Sequence, residues 1–487
     1  MTITLNIELG NRETKKLSEI ITELFDQLME LGRYMLALIL ESWDEELLST
    51  RDRERYRCKG KQVTSIKTRF GVVSYSRRVY IDREVESGLH CVHLLDEALQ
   101  IEKEGLVTSD ICELAVELIC RTSYRETAKV IGEVTGLTIS HVGVWNLIQK
   151  LGERQQALIA RYGELAEMGA GIGTLVTEIL YEENDGLWLK LQGKDRKEYG
   201  KDKEMKAGIM YAGTLWSDGP QGNKRGSLDN KVAYATFDPV PEFKKGLEAV
   251  ASSKFDLEKV TLRVTNGDGA NWIQGSNTEH HLYTLDTYHR NRKISRCVKD
   301  SELAKELLAR LYAKDIPGVF QRIEEAISQT EDEKERENLL ALFTYYQENK
   351  EALLGYHDRG VPIPETREPG VIHHSKLGSM ESNIFTIIGS RMKGGRACWS
   401  TRGGNNLVSL LCRYHTGGFD TLFPILPPIP TLIQETIQEP VEEGPPPLSA
   451  SKIPLTEGKG PECYCSASLP NIPWLKSIAA YRSLSEL

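Results

Sequence analysis

The most constraining stretch of the chain is residues 259–289, KVTLRVTNGDGANWIQGSNTEHHLYTLDTYH. Val260, Leu262 and Val264 alternate with polar residues, which is the period of a half-buried strand. That strand runs into Asn266-Gly267-Asp268-Gly269, where the two glycines are expected to let a metal or a phosphate approach the backbone. Asp268 is therefore expected at the carboxyl end of a strand, at the mouth of a sheet. A second strand over 281–285 ends in Asp286-Thr287-Tyr288-His289. Two neighbouring strands that each end on an acid suggest a metal-assisted site on an α/β sheet.

One carboxylate does not hold two divalent ions, so partners are required. Upstream, residues 175–192 read LVTEILYEENDGLWLKLQ, a strand pattern that contains Asp185-Gly186. Downstream, Ser379-Met380-Glu381-Ser382-Asn383 opens an amphipathic run with Ile384, Ile387 and Ile388 at helical spacing. Glu381 falls in the first turn of that helix. Asp185, Asp268 and Glu381, on two strands and a helix, can hold two Mg²⁺ ions, with Mn²⁺ able to substitute. Such a pair aligns an attacking oxygen and stabilises a leaving one at a phosphodiester. Each acid also has a plainer reading. Asp185 suits a turn, Asp268 an Asx turn and Glu381 a helix start. Glu182 and Glu183 compete with Asp185 for the first position.

These residues resemble a known family. Asp185-Gly186, Asn266-Gly267-Asp268-Gly269-Ala270-x-Trp272-Ile273, Asp286-x-x-His289, and Gly378-x-x-Glu381 followed by Arg391-Met392-Lys393 and Trp399-Ser400 look like the Mutator-like DDE transposases. More closely they resemble the ISLre-type bacterial insertion-sequence transposases, over roughly residues 1–415. The resemblance favours Asp185 over Glu182 and Glu183. It implies catalytic relevance for Asp286 and His289, which would support the site or contact the scissile strand. It also implies double-stranded DNA with terminal inverted repeats and target DNA as partners, bound by a homodimer or a higher assembly.

The net charge of −9 argues on its face against a nucleic-acid partner, but its distribution matters more. Residues 51–83 hold eleven Lys or Arg against three acids, beside Tyr56, Phe70, Tyr75 and Tyr80. This segment reads as a basic β-hairpin, with Lys59, Lys61, Arg69, Arg77 and Arg78 as candidate phosphate contacts. Its bland alternative is a structural hairpin with basic edges. The nine cysteines are odd in number and scattered, so a disulfide framework is not expected, and Cys463-x-Cys465 lacks a second pair to complete a zinc site. No signal pattern or long apolar run appears, and a cytoplasmic, nucleoid-associated location is the expectation.

Taken in order, residues 1–92 form an N-terminal region of helices with the hairpin, the helices lying over 17–47. Residues 93–170 read as a helical domain. Within it, a helix over 123–135 stops at Gly136, and Ser140 caps a second helix over 141–151. This is the layout of a helix-turn-helix, which would offer Ser140, His141, Trp145 and Asn146 to DNA. Residues 153–170 read as a linking helix. An α/β catalytic core begins at 171, with strands expected over 205–217 and 231–237, a helix over 241–252, and strands over 259–265 and 281–285. Three strands, a helix, a strand, a helix and a strand is the order of an RNase H-like fold, which sets the first and fourth strands side by side. The polar segment 219–230 reads as a loop. Residues 294–370 form an all-α insertion with its return loop, and 371–415 return to the core with Glu381. His373 and His374 could reach DNA. The Gly-rich basic stretch 392–406 is expected to bring backbone to a DNA end, with Lys393, Arg396 and Arg402 holding phosphates. Prolines crowd the tail, 416–487, and predict flexibility.

The fold expectation is thus multidomain α+β with an RNase H-like core. The functional expectation is two-metal DNA cleavage and strand transfer at the ends of an insertion sequence. Two rivals stand beside it: an RNase H-like endonuclease without strand transfer, and a transposase-derived DNA-binding protein that is non-catalytic or decayed.

Overall fold

The computed structural model describes residues 16–85, 90–99, 103–104, 107–219, 223–274, 277–364, 371–372 and 377–417. The expectations for His373 and His374, for Cys463-x-Cys465 and for the tail from 418 onward lie outside the described residues. The chain is multidomain α+β and forms two compact units, the first ending at Thr108 and the second beginning at Ser109.

In the first unit one helix runs from Leu17 to Thr50. The hairpin forms as expected. Tyr56–Thr68 pairs antiparallel with Gly71–Asp82, and Thr68 faces Gly71 across the turn. Gly71 has φ +109°, a backbone conformation that suits glycine. His90–Val92, Lys103–Glu104 and Val107–Thr108 complete a five-stranded sheet, so this unit extends past the boundary expected at residue 92. The helix packs on the hairpin through Leu40, Ile66, Val73, Tyr75 and Leu95.

The second unit opens with helices Ser109–Ile119, Tyr124–Val134 and His141–Glu167. The cap expected at Ser140 is in place, and Ser123 caps the preceding helix as well. The Ser123 hydroxyl accepts the Glu126 N–H at 3.2 Å, and the Ser140 hydroxyl accepts the Gly143 N–H at 3.0 Å. The helix begun at His141 does not stop near 151; it absorbs the expected linking helix and continues to Glu167. It buries Val144, Leu147, Ile148, Leu151 and Ile159 against the rest of this unit, so these helices do not form a separate domain.

The central sheet comprises β1 (Ile179–Lys190), β2 (Asp202–Tyr211), β3 (Val232–Thr236), β4 (Leu262–Gly267) and β5 (His281–Leu285). Their spatial order is β3-β2-β1-β4-β5. Strands β1 to β3 are antiparallel, and β4 runs parallel to both β1 and β5. The first and fourth strands are therefore neighbours, as expected. The helix Val240–Ser252 covers one face through Phe243, Leu247 and Ala251.

Two expectations about strands are corrected. The strand expected over 205–217 breaks at Ala212, and Gly213–Asp218 leaves the central sheet. It pairs with Lys224–Asp229, so half of the expected loop over 219–230 is strand, and Val371–Ile372 completes a three-stranded sheet. The all-α insertion forms from Thr287–Cys297, Ser301–Tyr312, Ile316–Gln329 and Glu333–Glu348, starting earlier than residue 294. These helices are capped in turn by Asp286, Asp300, Asp315 and Asp332, and they pack around Ile294, Leu307, Val319, Ile323, Leu342 and Tyr346.

The Gly-rich stretch is also corrected. A helix begins at Thr401 and runs to Gly417, so Gly403, Gly404, Asn405 and Asn406 lie inside it and are buried. A Cβ on Gly404 would stand 2.5 Å from the Phe237 ring. The Asn405 carboxamide oxygen accepts the Phe237 N–H at 2.8 Å, and the Asn406 amide donates to Gln149 at 2.9 Å. Gly404 and Asn405 seat this helix on Phe237 just past β3, and Asn406 ties it to the helix His141–Glu167, while Gly394 and Gly395 remain exposed. On the facing helix, a Cβ on Gly152 would meet the Asn406 carbonyl oxygen at 2.4 Å. Gly152→Ala is therefore expected to destabilise the protein by about 1–3 kcal/mol through overpacking, read as a lower denaturant midpoint.

Candidate active site

Sheet register assembles the site. Asn266 on β4 pairs with Glu183 on β1, and Gly267 pairs with Leu285 on β5. Continuing those ladders places Asp268 level with Asp185 on one side and with Asp286 on the other. Three aspartates remote in sequence thus stand side by side on three adjacent strands. They line a cavity of about 240 Å³ together with His289, Gly378 and Glu381. Glu381 lies in the first turn of the helix Met380–Ile384, as expected.

The carboxylates are engaged to different degrees. Asp185 Oδ1 accepts the Gly186 N–H at 2.7 Å, and Asp268 Oδ1 accepts the Ala270 N–H at 2.9 Å. Among the described residues, the second oxygens of both and the whole Glu381 carboxylate accept no hydrogen bond. Asp286 differs. Its Oδ1 caps the insertion's first helix by accepting the Tyr288 and His289 N–H groups at 2.9 and 3.1 Å. Its Oδ2 accepts from Asn266 at 3.2 Å. The Asp286-x-x-His289 spacing is thus that of an N-cap and its third helical residue. Burial pushes the Asp185 carboxyl up to about 6; Asp268 and Asp286 push the same way, against the Gly186 N–H and His289.

The glycines around Asp268 also serve packing, and Gly267 lines the cavity. A Cβ on Gly267 would lie 2.3 Å from the Ile273 side chain, and Gly269, at φ +91°, faces the Tyr345 ring. The Tyr345 hydroxyl donates to the Asp268 carbonyl at 2.6 Å and ties this turn to the insertion.

Glu183 explains how Glu381 reaches the site. Along β1 the side chains alternate, so Glu183 and Asp185 share a face. The buried Glu183 carboxylate accepts the N–H groups of Gly378, Ser379 and Met380 at 2.8, 2.9 and 3.3 Å. It also accepts from Tyr211 at 2.7 Å and from Asn266 at 3.2 Å. Burial pushes the Glu183 carboxyl up, against the pull of the Tyr211, Gly378 and Asn266 donors. This acid therefore pins the start of the Glu381 helix to the central strand, the place of a positive helix end. Farther along, Phe385–Gly389 forms a π-helical turn. There Arg391 donates to the Ile119 carbonyl at 2.8 Å and lies over the Tyr124 and Trp399 rings.

Hard oxygen donors suit divalent cations, and Asp185, Asp268 and Glu381 are the acids with oxygens to offer. Among the described residues no three His, Cys, Asp or Glu side chains stand close enough together to hold one ion.

The candidate DNA-contacting residues divide. Ser140, His141, Trp145 and Asn146 are exposed, as are Lys59, Lys61, Arg69, Lys393, Arg396 and Arg402. Lys61 pairs with Glu45, and Arg402 with Glu153. Arg77 and Arg78 are each only 7% exposed, a correction to their expected phosphate contacts. Arg78 binds Asp44 and Glu45, and Arg77 pairs with Asp96, so the hairpin directs both inward. Among the described residues no helix is long and apolar enough to cross a membrane.

Three contributors escaped the sequence reading: Glu183 as a positioning residue, Asn266 as the bridge from Glu183 to Asp286, and Tyr345. Asn266 stood inside the strand-end motif and Glu183 two residues from Asp185, a spacing that puts both on one strand face.

Two measurements follow. In metal-free protein the raised Asp185 pKa disfavours the ionised folded state above about pH 6. Asp185→Asn is expected to raise Tm at pH 7.5, with an upper scale of about 3 kcal/mol, and the gain should fade as pH falls from 6 towards 4. Glu183→Gln sets an NH₂ group among N–H donors. It is expected to cost about 1–3 kcal/mol and to speed hydrogen exchange at the N–H groups of Gly378, Ser379 and Met380.

Comparison with known proteins places the chain. The profile of the Uncharacterised protein family (UPF0236) matches residues 11–421. The "UPF0236 protein in vanSb 3'region" of Streptococcus gallolyticus is 26% identical over 435 residues, covering 87% of this chain and 88% of that protein. UPF0236 protein TTE2489 of Caldanaerobacter subterraneus subsp. tengcongensis is 23% identical over 408 residues, covering 82% and 79%. A further relative from that organism, 23% identical over 409 residues with 82% and 78% covered, carries eleven locus designations in one name, from TTE0033 to TTE2212. The chain belongs to the UPF0236 family.

Proposed function

We propose that this protein is a DDE-type transposase of an insertion sequence, cutting DNA and joining strands at the element's ends. The observation that carries this reading is the shared level of Asp185, Asp268 and Asp286 on adjacent strands, with Glu381 on a helix facing the same cavity. The strand order, with the first strand beside the fourth, matches what an RNase H-like core requires. The relative with eleven locus designations adds support, because many loci under one protein name are what a multiplying element leaves behind.

In this reading Asp185, Asp268 and Glu381 are the residues that would hold two Mg²⁺ ions, and the ions would supply Lewis-acid activation of the attacking oxygen and stabilisation of the leaving one. Glu183 sets the position of Glu381, and Asp286 caps the helix that carries His289. His289 stands where it can meet the scissile strand. The exposed His141, Trp145 and Asn146, and Lys59, Lys61 and Arg69 on the hairpin, supply DNA contacts away from the chemistry. Two ends must be brought together, which calls for at least a dimer on DNA.

The test is Mg²⁺-dependent cleavage and strand transfer of a labelled duplex carrying the element's ends, with wild type beside Asp268→Asn. Joined products that fall to background in the variant are the expected result. Cleavage without joining would favour an endonuclease, and tight binding with neither reaction a non-catalytic DNA-binding protein.

A further inference from the structure

A second cavity, of about 690 Å³, lies in the same unit between the three-stranded sheet, the start of the Glu381 helix and the end of the final helix. Its lining includes Trp216, Lys231, Lys254, Ser382, Asn383 and His415, and among the described residues no Asp or Glu. In a chain with net charge −9, that composition is a local reversal. Among the described residues neither Lys231 nor Lys254 forms an ion pair; Lys231 donates to the Asn383 side chain at 2.7 Å. Burial holds both lysines below their usual range, against the opposing pull of Asp229 on Lys254, and burial together with Lys231 and Arg121 does the same to His415. The site therefore gains from an incoming anion. Trp216 remains 39% exposed, and its ring sits near Gly226 on the paired strand, where a Cβ would come within 3.2 Å of it.

The two cavities share one helical turn. Met380 and Glu381 line the acidic cavity, and Ser382 and Asn383 line the basic one. A nucleic-acid strand that leaves the acids along this turn enters the cavity that the lysines line. We propose that the larger cavity binds the single-stranded DNA segment adjoining the scissile phosphate, with backbone phosphate at Lys231 and Lys254 and a base stacked on Trp216. Unpaired strand is specified because aromatic stacking needs a base released from its duplex. The inference rests on the transposase reading for its choice of DNA as the source of the phosphate.

The test uses the full chain in EDTA, so that binding is read without chemistry. Titration with a short oligothymidylate is expected to quench tryptophan fluorescence saturably, and Trp216→Phe should remove that quench. Lys254→Gln should weaken binding roughly tenfold, the scale of one charged hydrogen bond, and Lys254→Arg should restore it. Lys254 is chosen because Lys231 also braces Asn383. An unchanged midpoint in Lys254→Gln, a full quench in Trp216→Phe, or oligothymidylate binding no tighter than inorganic phosphate would overturn the proposal. If DNA joining fails while the Lys254-dependent quench persists, the transposase reading falls and the strand site stands. If joining succeeds while Lys254→Gln binds normally, the reverse holds.

Discussion

The arrangement of this site depends on one buried carboxylate. Glu183 lies on the central strand, and its two oxygens accept three consecutive backbone N–H groups at the start of the Glu381 helix, together with Tyr211 and Asn266. A helix start leaves backbone donors without partners, and a buried acid at that point satisfies them while opposing the positive end of the helix. The contact spans nearly two hundred residues of chain. It fixes the acid contributed by the helix relative to the acids contributed by the sheet, and Asn266 extends the link to Asp286.

Around that anchor the charges are sorted. Asp185 on β1 meets Asp268 and Asp286 at the ends of β4 and β5, and burial, aided by these two like charges, makes Asp185 resist ionisation. One helical step from Glu381, the lining turns to lysine, histidine and hydroxyl groups. Adjacent regions of opposite sign suit a polyanion whose reacting phosphate needs bridging cations while its neighbours need direct neutralisation. The π-helical turn and the Arg391 contacts hold the far end of the same helix against the helices that begin at Ser109 and Tyr124. The helix thus has fixed neighbours at both ends.

Much of the site was legible from short-range signals. Period-two alternation located the strands that carry Asp185 and lead to Asp268 and Asp286, and helical spacing after Ser379 located Glu381. Ser140 announced its helix. Where the sequence reading failed, the side chain's partner was remote. Arg77 and Arg78 look like any basic strand residues until Asp96, Asp44 and Glu45 come to meet them. Gly404 reads as loop punctuation, yet it permits the close approach of Phe237, far away in the chain.

The sequence by itself determined the local elements, their caps and the identity of the acids, because periodicity and capping act over a few residues. It also located the insertion between Asp286 and Glu381. Tertiary structure alone decided which acid serves which purpose. Glu183 and Asp185 are both acids on the same strand face. One meets the donors of a helix start and becomes a structural anchor, while the other meets like charges and keeps an oxygen unengaged. That difference arises from what packs against each side chain, and no local pattern encodes it.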